Sequence, residues 1–162
     1  LPPLMLVGSL WLVAMNDYQA GGVFDWLLFK QPLAFVLFLV ASYAELNRTP
    51  FDLLEHEAEI VAGFCTEYSG LKWGMFFLAE YAHLFAFGFV IALIFCGGYQ
   101  PLWFIPGGIA IILKVCFFVF LAMWVRATFP HVRPDQLMSM CWKVLMPLAL
   151  LNLLITGIIL LF

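Results

Sequence analysis

The apolar runs of this chain decide its fold class before any motif is read. Leu33 to Ala44, Met75 to Cys96, Ile109 to Val125 and Val144 to Phe162 approach or reach the roughly 20 residues that a helix needs to cross a ~30 Å hydrocarbon layer. Lipid offers no water to backbone N–H and C=O groups, so each run is expected to close its hydrogen bonds within itself as a helix. Composition agrees, with 65% of residues hydrophobic and 10% charged, against about a quarter charged in soluble domains. The expected fold is all-α, a polytopic transmembrane helix bundle forming one membrane domain over 1–162.

Turn chemistry places the boundaries. Asn16, Asp17 and the Ala-Gly-Gly at 20–22 end a first, partial span over about 1–15. The segment GVFDWLLFKQP mixes aromatic and charged residues as an interfacial loop does. Pro32 suits the first turn of a helix, where its missing N–H costs nothing, and that helix runs to about 46. Further spans are expected over 72–95, 107–125 and 143–162, with polar loops at 44–71 and 126–142. That makes four whole spans and one partial one, without an internal repeat. The chain opens at Leu1 directly in an apolar run with no basic region before it, which reads as a piece of a longer protein rather than a signal peptide.

The cations give an orientation. If the two polar loops share a side, Arg48, Lys72, Arg126, Arg133 and Lys143 lie there, Lys30 lies opposite and Lys114 sits within a span. The positive-inside rule makes the loop side cytoplasmic, or the matrix side in an organelle. Cys65, Cys96, Cys116 and Cys141 are scattered, with no CxxC pair and no histidine at metal-ligand spacing, so they read as packing residues and no metal site is expected. Nothing resembles a basic nucleic-acid patch.

The stretch AELNRTPFDLLEHEAEIVAGFCTEYSG, 44–70, holds six of the ten carboxylates: Glu45, Asp52, Glu55, Glu57, Glu59 and Glu67. Thr49, Pro50 and Asp52 form a helix start, and Gly63 is a stop. Between them Phe51, Leu54, Ala58 and Val61 share one face and Asp52, Glu55 and Glu59 another, which predicts a short amphipathic interfacial helix. Its acids could be a solvated face only. Yet helices that bind cytoplasmic leaflets are usually basic, because anionic lipids repel carboxylates. A hydrated, protein-lined cavity explains the acids better.

Deeper in, Glu80 and His83 stand at i, i+3, with Glu80 about 12 Å along the helix from Lys72; Lys114 is about 18 Å from Arg126. Ionisable groups at such depth usually face a bundle interior or water and are functional by default. The structural alternative is a Glu80–Lys114 ion pair. Glu45, at the end of its helix, could join the loop to these deeper groups, as proton movement requires.

The run Ala44-Glu45-Leu46-Asn47-Arg48-Thr49-Pro50-Phe51-Asp52-Leu53, followed by Glu55, Glu57, Glu59, Val61-Ala62-Gly63 and Thr66-Glu67-Tyr68-Ser69-Gly70, resembles the quinone-chamber loop of a membrane-subunit family, the one called H in bacterial NADH:quinone oxidoreductase. The mitochondrial counterpart is subunit 1 of respiratory complex I. The likeness continues through Phe76 to Ala82, Arg126 to Pro130, Arg133 and Asp135 to Met138, so it covers nearly the whole chain. Leu54 and His56 depart from the family's usual proline and alanine. The resemblance implies a subunit of eight spans, of which this chain supplies the last four and part of the fourth. It implies that Glu45, Arg48, Asp52, Glu55, Glu57, Glu59 and Glu67 border the quinone cavity. It also implies that the acids, with Glu80, form a carboxylate chain coupling quinone reduction to proton translocation, and the deep His83 and Lys114 are expected to continue the proton path. Ubiquinone or menaquinone would be the substrate. NADH, FMN and iron–sulfur clusters would belong to partner subunits of the peripheral arm, and small membrane-arm subunits would be further neighbours. The implied location is the bacterial inner membrane, or the mitochondrial inner membrane in an organelle. A membrane subunit of an energy-converting hydrogenase or other quinone-linked dehydrogenase, and a stand-alone ion transporter, are the alternatives; the transporter would call for inverted repeats, which the sequence lacks.

Overall fold

The computed structural model describes residues 1–46, 50–51, 68–101 and 105–161. The amphipathic helix expected within 49–63 lies outside the described residues.

The first expected span is two short helices, α1 (Pro2–Val7) and α2 (Leu12–Tyr18). Gly8 adopts φ 70° and ψ 10°, and its N–H donates to the Leu4 carbonyl at 2.9 Å. A left-handed residue of this kind ends a helix by turning its last carbonyls back on the chain. Ser9 Oγ then accepts from the Trp11 N–H at 3.2 Å just before α2 begins. The apolar pattern runs straight through this break, so hydropathy alone reads a single span there.

The segment expected as an interfacial loop is mostly exposed or half-buried, with Phe24 and Phe29 outside and Leu27 as its anchor in the bundle. It forms a 3-10 turn at Val23–Asp25 and a single helical turn, α3 (Leu27–Lys30). Leu27 is fully buried. At the surface Lys30 pairs with Asp25 at 3.2 Å and lies over the Tyr18 ring. Helix α4 (Pro32–Glu45) starts on Pro32 as expected, but its 14 residues rise only about 21 Å, short of a ~30 Å hydrocarbon layer.

Helices α5 (Leu71–Phe95) and α6 (Gly107–Thr128) form an antiparallel hairpin. On α5 the inward positions are Leu84, Gly88, Ile91, Ala92 and Phe95; on α6 they are Ala110, Ile111, Lys114, Val115 and Phe118. In lipid, helices gain little from burying apolar surface and associate through close packing over small residues. Gly88 supplies that contact, since a Cβ there would already touch the Val115 carbonyl and side chain at 3.4 Å. Phe35 and Phe38 of α4 pack on Phe95, each with ring centroids 5.4 Å apart, and fasten α4 to the hairpin.

The last helix begins well before the expected 143. Helix α7 runs from Pro134 to Leu161, so the second polar loop shrinks to about 129–133. Nothing between Asp135 and Lys143 breaks a helix. The sequence does carry Pro147, whose ring clashes with the carbonyl four residues earlier and whose missing N–H leaves that carbonyl unpaired. The helix answers with a wider π turn at Cys141–Leu145 just ahead of the proline.

Three helices, α5, α6 and α7, are long and apolar enough to cross a membrane. The described residues therefore hold three such helices rather than the four whole spans expected, with α4 a shorter apolar helix beside them. This is a membrane protein, built mostly of helices. At one end of the bundle the Val132 N–H donates to the Pro50 carbonyl at 3.0 Å, so the segments that follow α4 and α6 meet on the same side.

Candidate functional site

Two separate polar places occupy opposite halves of the bundle. The first is a cleft of about 300 Å³ between α4 and α5. Its walls are Phe38, Ala41, Ser42 and Glu45 from α4, and His83, Ala86, Phe87 and Val90 from α5. Both sets follow i, i+3, i+4, i+7 spacing, so one face of each helix is turned to the cleft. The Ser42 hydroxyl donates to the Phe38 carbonyl; Glu45 and His83 are the titratable side chains of the cleft wall, and both are exposed. The structure thus brings Glu45 and His83 together. Glu80 is half-buried one turn before His83, on the same side of α5 but outside the cleft wall. Arg48, Asp52, Glu55, Glu57, Glu59 and Glu67 lie outside the described residues, on the segment that follows Glu45 in the chain.

The second place is the turn between α5 and α6, where Lys114 goes. Its ammonium donates to the Gly98 carbonyl at 3.0 Å and sits over the Trp26 ring, 4.6 Å from the centroid. Gly88 lies against Val115 and Phe118, so Lys114 is level with the part of α5 near residue 90, roughly 15 Å along the axis from Glu80. The Glu80–Lys114 pair weighed from sequence is therefore not the contact Lys114 makes.

Around the same turn is a residue that a search for charges passes over. Gln19 is fully buried and uses its whole amide. Its Nε2 donates to the Met15 and Ile94 carbonyls, both at 3.0 Å, and its Oε1 accepts from the N–H groups of Leu27 at 3.2 Å and Gly97 at 2.9 Å. Gln100 Nε2 donates to the Asn16 carbonyl at 3.2 Å, tying the turn to α2. Across the bundle Gln31 Nε2 donates to Thr156 Oγ1 at 3.1 Å, a buried link between the start of α4 and α7. The sequence carries only a weak signal for these residues, since each amide stands at a helix end or in a turn segment, where a polar side chain is expected whether or not it is buried.

Among the described residues no group of three or more His, Cys, Asp and Glu side chains is placed to hold a metal ion. Cys96 is buried, Cys141 half-buried and Cys116 exposed, all as free thiols.

Residues 1–157 match the family model described as NADH dehydrogenase. The chain is 77% identical over 161 residues to the H subunit of NADH-quinone oxidoreductase from Helicobacter acinonychis (strain Sheeba), covering 99% of this chain and 49% of that one. It is 78% identical over 161 residues to the protein of the same name from Helicobacter pylori (strain Shi470), with the same coverage. It is 72% identical over 162 residues to the one from Helicobacter hepaticus (strain ATCC 51449 / 3B1), covering 100% of this chain and 49% of that one. The chain spans about half the length of these relatives. On a match over nearly all of its residues, the chain belongs to the NADH dehydrogenase family.

Proposed function

We propose that this chain is part of the membrane subunit of a proton-pumping NADH:quinone oxidoreductase, and that it lines the quinone cavity and couples quinone reduction to proton translocation. Identity of 72–78% to three proteins named as the H subunit of that enzyme supports the assignment. The observation that carries the mechanism is the cleft shared by Glu45 and His83, at the end of α4 from which the chain continues into the acidic segment. Reduction of a quinone to a quinol takes up two electrons and two protons. The electrons come from partner subunits of the peripheral arm, which hold the flavin and iron–sulfur clusters. This chain holds and moves protons. The acids at 48–67, with Arg48 among them, border the cavity; Glu45 stands where that segment begins, and His83 lines the same cleft as Glu45. An imidazole can take a proton on one nitrogen and release another from its second, so His83 passes charge between Glu45 and Glu80, which stands one turn nearer the loop end of α5. Lys114, at the other end of the bundle, is the far cation of this charge system. The protein would sit in the bacterial inner membrane with the acidic segment on the cytoplasmic side.

The experiment is NADH:quinone turnover and proton pumping in the intact membrane complex carrying Glu55→Gln, Glu59→Gln, Glu45→Gln or His83→Gln. Loss of a proton-transferring side chain is expected to lower coupled turnover by roughly tenfold or more. Unchanged turnover and pumping in all four variants would refute the coupling role. If the chain purified alone and moved protons after reconstitution, its assignment as a subunit would fail.

A further inference from the structure

Lys114 is 6% exposed, within a membrane helix, and meets no carboxylate among the described residues. An ammonium has three donors. One goes to the Gly98 carbonyl and the Trp26 ring covers one side of the charge, which leaves donor capacity unspent among the described residues. Close by is the complementary deficit. Asn16 Oδ1 is buried and accepts no hydrogen bond among the described residues. It lies against the same residue that Lys114 binds, only 2.7 Å from the position that a Cβ on Gly98 would take. Asn16 is held there by its own carbonyl, which accepts from Gln100. The two side chains thus flank Gly98, one an underused donor and the other an unused acceptor, without bonding to each other directly. Each orphan of this kind in a buried setting costs free energy unless something satisfies it.

We propose that one water molecule is bound between the Lys114 ammonium and Asn16 Oδ1, accepting from the lysine and donating to the asparagine. Water is the smallest neutral molecule that accepts and donates together, and a buried site with several polar neighbours is where such a molecule is retained. Gly98 permits the close approach: with φ 46° and no side chain, it lets Asn16 Oδ1 stand where a Cβ would clash with it. With the Gly98 carbonyl, the indole face and this water around it, Lys114 keeps a fixed charge in an apolar half of the bundle and pins the turn between α5 and α6. This positioning of the turn is separate from the place given to Lys114 as the far cation of the charge system, and it stands whether or not the quinone reading holds.

The direct test is a map of the intact wild-type complex at a resolution that shows ordered waters. Density within hydrogen-bond reach of both Lys114 Nζ and Asn16 Oδ1 is expected; a direct contact between the two, or no density, overturns the proposal. A double-mutant cycle read as melting temperature tests the coupling without a map. Asn16→Leu is expected to lower the melting temperature by roughly 2–4 °C in the wild type, and by much less once Lys114→Met is present. Asn16→Asp, which brings a carboxylate to the same place, keeps or raises the melting temperature beside Lys114 and lowers it beside Met. Additive effects in both cycles overturn the proposal.

Discussion

Gln19→Leu is expected to be among the most damaging single substitutions in the described part of this chain, although it keeps the side chain close to its original size. The leucine leaves the N–H groups of Leu27 and Gly97 and the carbonyl of Ile94 without their amide partner. At about 1–3 kcal/mol for each buried backbone group left unpaired, the loss is about 4 kcal/mol after partial relaxation. For a domain of this length that corresponds to a melting temperature lower by roughly 10 °C in detergent. Gln19→Glu separates the two halves of the amide. A carboxylate can still accept from Leu27 and Gly97, but it places negative oxygens against the Met15 and Ile94 carbonyls, so it too destabilises. If either variant melted within about 2 °C of the wild type, the four-way clamp would not be holding α2, α3 and the end of α5 together.

The clamp shows where the sequence stops being legible. Hydropathy finds the long helices α5 and α6, because in lipid a long apolar run has only the helix to adopt, though it ends α6 three residues early, at 125 rather than Thr128. It fails at α1 and α2, where one glycine in a left-handed conformation matters more than the surrounding apolar residues, and at the start of α7. There a charged helical turn reads as a loop, because charge at a membrane surface is equally compatible with both. Polar contacts between segments distant in the chain leave no periodic trace at all. Gln19 bonds Ile94 and Gly97, some 75 and 78 positions away, and no local pattern announces that.

The candidate site divides along the same line. Glu45 and His83 share a cleft because each stands on a strip of helical spacing, and that spacing is written in the sequence. Lys114 is legible as a charge at depth, yet its partners are a backbone carbonyl and an aromatic face, neither of which is a charge that a search for ion pairs would select. Depth along a helix follows from counting residues. The choice of partner follows from which end of the neighbouring helix that depth meets, and in an antiparallel hairpin this depends on where the helices cross closely, at Gly88.

Two glycines with the same positive φ provide the sharpest remaining test. Gly8 and Gly97 both have φ 70°. A Cβ at Gly8 meets nothing within 4 Å, whereas at Gly97 it would stand 2.7 Å from Trp26 Nε1 and 3.0 Å from Cδ1 of the same ring. Gly8→Ala therefore carries only the cost of a left-handed alanine, about 1–2 kcal/mol. Gly97→Ala carries that cost and must also push the indole away. The indole is the surface on which the Lys114 ammonium rests, and a desolvated cation on an aromatic face is worth about 2 kcal/mol. The expected sum is about 3–4 kcal/mol, so the Gly97 variant should lose about twice the melting temperature lost by the Gly8 variant. Trp26→Leu removes the obstacle together with the cation's aromatic surface. In that background the additional cost of Gly97→Ala should fall to that of Gly8→Ala, because only the shared backbone penalty is left. Equal losses for the two alanine variants in the wild-type background would mean that the Trp26 ring can yield freely, and that the turn does not depend on its seat beneath Lys114.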